Sequence, residues 1–79
     1  MLPYVKQSFD ITPDDGDDIE VPVTRLYIEG AGDIAIVLEL DDDSEAIIIT
    51  VSNFEVLTGF KVRKVLATGT TATGIKGLY

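Results

Sequence analysis

The sequence predicts a small all-β domain, an antiparallel β-sandwich or partly open β-barrel of about five to seven strands with an extended N-terminal arm. Three observations predict it. Apolar residues recur with period two through Val23–Val51, no useful length matches a helical period, and glycine- or aspartate-rich turns separate the runs.

The arm comes first. Residues 1–22 hold all three prolines and the acidic cluster DDGDD around Gly16. Proline lacks a backbone donor and fixes φ, which suits irregular or edge positions. Short strands are expected at Ser8–Thr12 and Ile19–Val21. Residues 23–79 form the β domain. VTRLYIEG alternates Thr24, Leu26 and Ile28 against Val23, Arg25, Tyr27 and Glu29, and GAGD then reads as a hairpin-like turn. DIAIVLEL places Ile34, Ile36, Leu38 and Leu40 opposite Ala35, Val37 and Glu39. After the turn DDDSE, AIIITVS places Ile47, Ile49 and Val51 opposite Ala46, Ile48 and Thr50. These runs are expected to form a meander.

NFEVLTG is expected to be a connector with Phe54 and Leu57 tucked inward. FKVRKVLAT is the fourth long strand. Its broken alternation predicts a bulge near Arg63–Lys64 that puts both charges in solvent. GIKGLY is a short terminal strand. Between them, ATGTTATG reads either as a glycine-hinged loop or as a close-packed segment that another backbone approaches.

Seventy-nine residues make one small domain with a thin stability margin. With no cysteine there is no disulfide, so oligomerisation is the expected compensation. Two strands are apolar on both faces: Ala35 and Val37 back one, Ala46 and Ile48 the other. A neighbouring subunit is expected to cover that second face. The candidate interface residues are Val37, Ile48, Ala72, Leu78 and Tyr79.

Fourteen acidic side chains against six basic ones give a net charge of −8, which repels phosphate backbones. No nucleic-acid partner is expected. The N-terminus lacks a signal-peptide core and no run is long enough to span a bilayer, so a soluble, cytoplasmically made protein without a membrane partner is expected. No histidine exists to activate a serine or threonine, and no spacing advertises another catalytic set, so no enzyme activity and no cofactor are expected. The DDGDD loop departs from the calcium-loop pattern, having only two aspartates before its glycine and a strand after it. Solvated turns explain both it and DDDSE.

RLYIEGAGDIAIVLEL, TVSNF and KVRKVLATGTTATGIKGLY together resemble the small spike base protein family of alphaproteobacterial gene transfer agents and related tailed phages and prophages. The specific part is Val65–Thr73 with Ile75–Tyr79, Lys64 standing where the family has arginine; Leu26–Asp33 is the second anchor. The resemblance spans roughly residues 8–79, including FDITPDD. The chain departs from it after Asn53, where FEVLTG lacks the family's Pro-x-Gly turn, and in its heavier acidic loops. The resemblance implies a non-enzymatic virion structural protein on the surface of a phage or phage-like particle, made in the host cytoplasm. Its implied task is an oligomeric base, pentameric or trimeric, linking the major capsid protein to a head spike or fibre. The alternatives are a capsid cement or decoration protein bound to the major capsid protein, and a small sugar- or calcium-binding module.

Overall fold

The computed structural model describes residues 6–19 and 22–79. Six strands form one antiparallel sheet: β1 (Ser8–Asp10), β2 (Val23–Gly30), β3 (Gly32–Leu38), β4 (Ile47–Val51), β5 (Glu55–Val65) and β6 (Thr73–Leu78). The strand order is β1-β6-β2-β5-β3-β4. The all-β antiparallel expectation holds; among the described residues the strands form one open sheet and not the two layers of a sandwich. The expected strand at Ile19–Val21 lies partly outside the described residues.

The meander does not hold. Only β3 and β4 are both consecutive and paired; β5 lies between β2 and β3. The reason is the length of β5. It begins at Glu55, so most of the expected connector NFEVLTG is strand, and only Asn53–Phe54 turn. Its eleven residues pair Glu55–Thr58 and Val62 with β2 and Val62–Val65 with β3. GAGD is therefore a crossover from one side of β5 to the other. Gly32 permits it: a Cβ there would lie 2.7 Å from the Ala72 nitrogen, at a φ of 151° that side chains rarely adopt.

Leu26, Ile28, Ile34, Ile36, Val62, Val65 and Ile75 make the core with Val23, Val51 and Ile11. Val51 of β4 and Ile75 of β6, with three strands between them in the order, belong to one cluster, so the sheet curls around its own inner face. A register shift between Val23 and Arg25 turns Val23 inward beside Leu26 and leaves Thr24 exposed, opposite to simple alternation.

The predicted bulge exists at Arg63, since Val37 pairs with Lys64 but Leu38 pairs with Val62. It does not put both charges in solvent. It keeps Val62 and Val65 in the core and sends Lys64 to the second face, where the residue is only 3% exposed.

Candidate interaction surfaces

Val37 and Ile48 were expected to meet a neighbour on the second face, Ala72 in the small-residue stretch, and Leu78 and Tyr79 at the C-terminal end. Val37 has no exposed surface in the single chain, and Ala72 is buried as well. Val37 therefore needs no neighbouring subunit to cover it. The polar elements beside its strand partner are the acidic arm and the 3-10 turn at Asp43–Glu45, both tied to Lys64. Ile48 on β4 is 61% exposed, Leu78 is half-buried, and Tyr79 is exposed with its ring edge-on to Phe9 at 5.7 Å. Ile48 and the Leu78–Tyr79 pair belong to opposite ends of the strand order. The five do not form one patch.

A charge cluster that pattern reading missed holds the arm down. Lys64 Nζ lies 2.8 Å from Asp43 Oδ2 and 3.7 Å from Asp18, while Arg63 reaches Asp18 at 2.8 Å and Asp43 at 2.7 Å. Asp15 accepts from both the Thr68 N–H (2.9 Å) and the Thr68 hydroxyl (2.6 Å). Hydrogen bonds from Lys64 and Arg63 hold the Asp43 carboxyl below its ordinary range, and those from Thr68 do so for Asp15. Asp43 in turn raises Lys64 and Arg63. Backbone bonds from Asp14 to Val65 and from Ile19 to Arg63 lay the arm along β5, continuing the line of β2. The signal was present as a basic pair and two acidic clusters, but the separations along the chain concealed the match.

The acidic loop is thus an internal tether. Asp14 accepts from the Gly16 and Asp17 amides, and Asp15 and Asp18 are engaged as above. Among the described residues no group of three or more acidic side chains is arranged to hold a metal. A shallow cleft lies beside it, with Phe9, Ile11, Ile19 and Val65 as floor and Asp14 and Asp17 on the rim.

ATGTTATG continues β5 along the same edge of β3, with threonine hydroxyls replacing ladder carbonyls. The Ala35 N–H donates to Thr70 Oγ1 and the Asp33 N–H to Thr71 Oγ1, each at 2.9 Å; the Thr71 and Ala72 amides donate to the Asp33 carbonyl. Gly69 and Gly74 take positive φ. The glycine-hinged loop is realised from Ala67 to Ala72, and the backbone it packs against is the chain's own β3.

Of the remaining exposed apolar residues, Val56 lies on β5 opposite Tyr27, and the others lie on β4 or in the turns at its two ends. Leu40, 95% exposed, lies in the turn before it, Ile47 and Ile48 lie on it, and Phe54, 68% exposed, follows it. Phe54 was expected inside. Instead it holds a left-handed φ of 57° in the turn to β5, with its ring outward. On the strand itself the exposed apolar side chains are those of Ile47 and Ile48, and Thr50 beside them donates to the Asp33 carboxylate at 2.8 Å.

Over this architecture the chain is similar to a chain in a solved structure described as the capsid of a native GTA (gene transfer agent) particle computed with C5 symmetry. The TM-score is 0.83 and the identity 30%, over 96% of this chain and 84% of that one. The chain belongs to the family of that particle protein. No protein-family profile matches it, and no curated protein does. The similarity leaves out only a few of this chain's residues, so it takes in nearly the whole sheet.

Proposed function

We propose that this chain is a non-enzymatic structural protein of a gene-transfer-agent or phage-like particle, serving as an oligomeric base that joins the capsid to a surface spike or fibre. The observation that carries the virion role is the similarity to the GTA capsid-particle chain over nearly the whole length. The finer task, a base at a vertex, draws on the resemblance of Leu26–Asp33 and Val65–Tyr79 to spike base proteins. Five-fold symmetry in the neighbour's particle is compatible with a pentameric ring of the base, and the major capsid protein and a spike protein are then its partners.

The exposed Ile48 on β4 and the tethered acidic arm both suit a protein that works in an assembly. Ile48, Leu78 and Tyr79 remain contact candidates on this reading, on separate surfaces; Val37 and Ala72 do not, being covered already. A cement role is the competing task within the same particle. Mass spectrometry of density-purified particles tests the virion role, and reconstruction tests the task. A handful of copies at each vertex is the expected result. Copies spread by the hundred between capsomers would replace the base by cement, and absence from the particles would overturn the virion reading itself.

A further inference from the structure

Among the described residues, Lys64 is the only charged side chain that is buried. What covers it is not core. Its Nζ meets the Asp43 carboxylate at 2.8 Å, Asp18 at 3.7 Å, and the carbonyls of Asp15 and Gly16, each at 3.4 Å. All but the first of these contacts come from one loop, residues 14–18, every residue of which is itself exposed. The loop therefore buries a charge while it has no apolar side chain of its own to bury.

Its attachments differ between its flanks and its middle. On the flanks, Ile11 is buried and Ile19 packs against the core. Between those anchors every bond is polar. The Asp15 carboxylate accepts from the Thr68 amide and hydroxyl, Asp18 pairs with Arg63, and the Asp14 amide donates to the Val65 carbonyl at 2.9 Å. The Asp18 side chain is 52% exposed, and an ion pair so open to water adds little stability. Asp14, Asp17 and Asp18 border the cleft over Phe9 and Val65 instead of packing against side chains. Lifting this loop returns an ammonium to water and uncovers no apolar side chain of the loop. Those are the conditions for a segment to open ahead of the sheet.

We propose that residues 14–18 are a strap, anchored at both flanks, that opens while the sheet stays folded and bares Lys64 beside Arg63. Closed, the strap shows Asp14 and Asp17 on the cleft rim and hides Lys64. Open, it leaves a basic pair on β5 with Asp43 still bonded to both. One surface thus shows carboxylates in one state and cations in the other. The clasp is the Asp15 carboxylate on Thr68, since it alone ties the middle of the strap to the loop after β5. This device is independent of the particle role proposed above.

Amide exchange followed by NMR, with acetylation of the lysines by an N-hydroxysuccinimide ester, tests the strap on the intact chain. The Thr68 and Asp14 amides should exchange at rates that low denaturant leaves unchanged, while paired amides of β2 and β5 exchange more slowly and accelerate with denaturant. Lys64 should acetylate more slowly than the exposed Lys61, yet with the same indifference to low denaturant. Asp15→Ala removes the clasp at an exposed position and should speed acetylation of Lys64 about tenfold or more, with Lys61 keeping its wild-type rate. Asp17 has no side-chain bond to the sheet among the described residues, so Asp17→Ala should leave Lys64 at its wild-type rate. The proposal is overturned if Thr68 and Lys64 react only in step with β2 and β5, accelerating with denaturant as they do. An Asp15→Ala chain with unchanged Lys64 overturns it too. So does equal acceleration in both variants, because loss of charge would then account for it. If Asp15→Ala does not fold, the wild-type exchange pattern decides, together with Thr68→Val, which removes only the hydroxyl bond and should also speed Lys64.

Discussion

Thr70 shows how a single hydroxyl substitutes for a strand. It accepts from the amide of Ala35, a residue with almost no exposed surface. Thr70→Val keeps the shape and removes the acceptor, stranding that buried donor at a cost of about 1–3 kcal/mol. Thr70→Ser should retain most of the stability; equal loss in both variants, read by denaturant unfolding, would show the bond contributes nothing. Phe54 is the reverse case. Its exposed ring is held on a left-handed backbone that costs a side-chain-bearing residue about 1–2 kcal/mol. Asparagine tolerates that conformation, so Phe54→Asn should raise the unfolding midpoint, and a lowered midpoint would mean the ring packs more than its exposure indicates. Lys64 belongs at this scale too. Removing Asp43 leaves a buried ammonium with a poorer set of partners, so Asp43→Asn should destabilise the fold, whereas Lys64→Met, which removes the charge itself, should be better tolerated.

At the scale of elements, the crossover between β2 and β3 depends on Gly32 far more than a surface turn would. Gly32→Ala brings a methyl within 2.7 Å of both the Ala72 nitrogen and Thr71 Oγ1. The expected loss exceeds about 1 kcal/mol. Gly59 also has positive φ, but nothing lies within 4 Å of its absent side chain, so Gly59→Ala should cost less. Thermal melts of the two variants rank them, and a reversed order would remove the close-approach account. Strand existence was legible in this sequence because β2, β3, β4 and β6 each follow local apolar spacing and turn residues. Strand neighbours were not. Pairing β5 with β2 and β3 depends on how far β5 runs, and Gly59 disguised its first half as a loop. The candidate site was legible in the same partial way. Ile48 stood out as an apolar residue on the unwanted face, but Val37, chosen by the same argument, is covered by the chain itself.

For the whole molecule the balance is electrostatic. Asp15 and Asp43 titrate below the ordinary carboxylate value of about 4. Their folded-state values are depressed, so their contribution to stability is complete above the ordinary value and is lost as pH falls through the lowered ones. Meanwhile, protonating unpaired carboxylates relieves the self-repulsion of a chain whose pI is about 4.1. Melting temperature should accordingly hold or rise slightly from neutral pH toward the pI and then drop below it. Asp43→Asn should soften that drop, and an identical acid limb in the variant would remove Asp43 from the account. Lys64, Arg63 and Lys76 are shifted upward by Asp43 and Asp10, so their stabilisation persists through this range and disappears only at strongly alkaline pH.

By itself the sequence determined the all-β class, the approximate strands, the bulge in β5 and the acidic field, because period, turn chemistry and charge are local or additive properties of the chain. Its resemblance to virion proteins was likewise carried by contiguous residues, Leu26–Asp33 and Val65–Tyr79. Only the tertiary structure decided that β5 separates β2 from β3, that Arg63 and Lys64 clamp the acidic arm, and that Lys64 lies buried beneath the acidic loop. Each of these joins residues far apart in the chain, and such contacts form by closing the chain on itself, which no local pattern records.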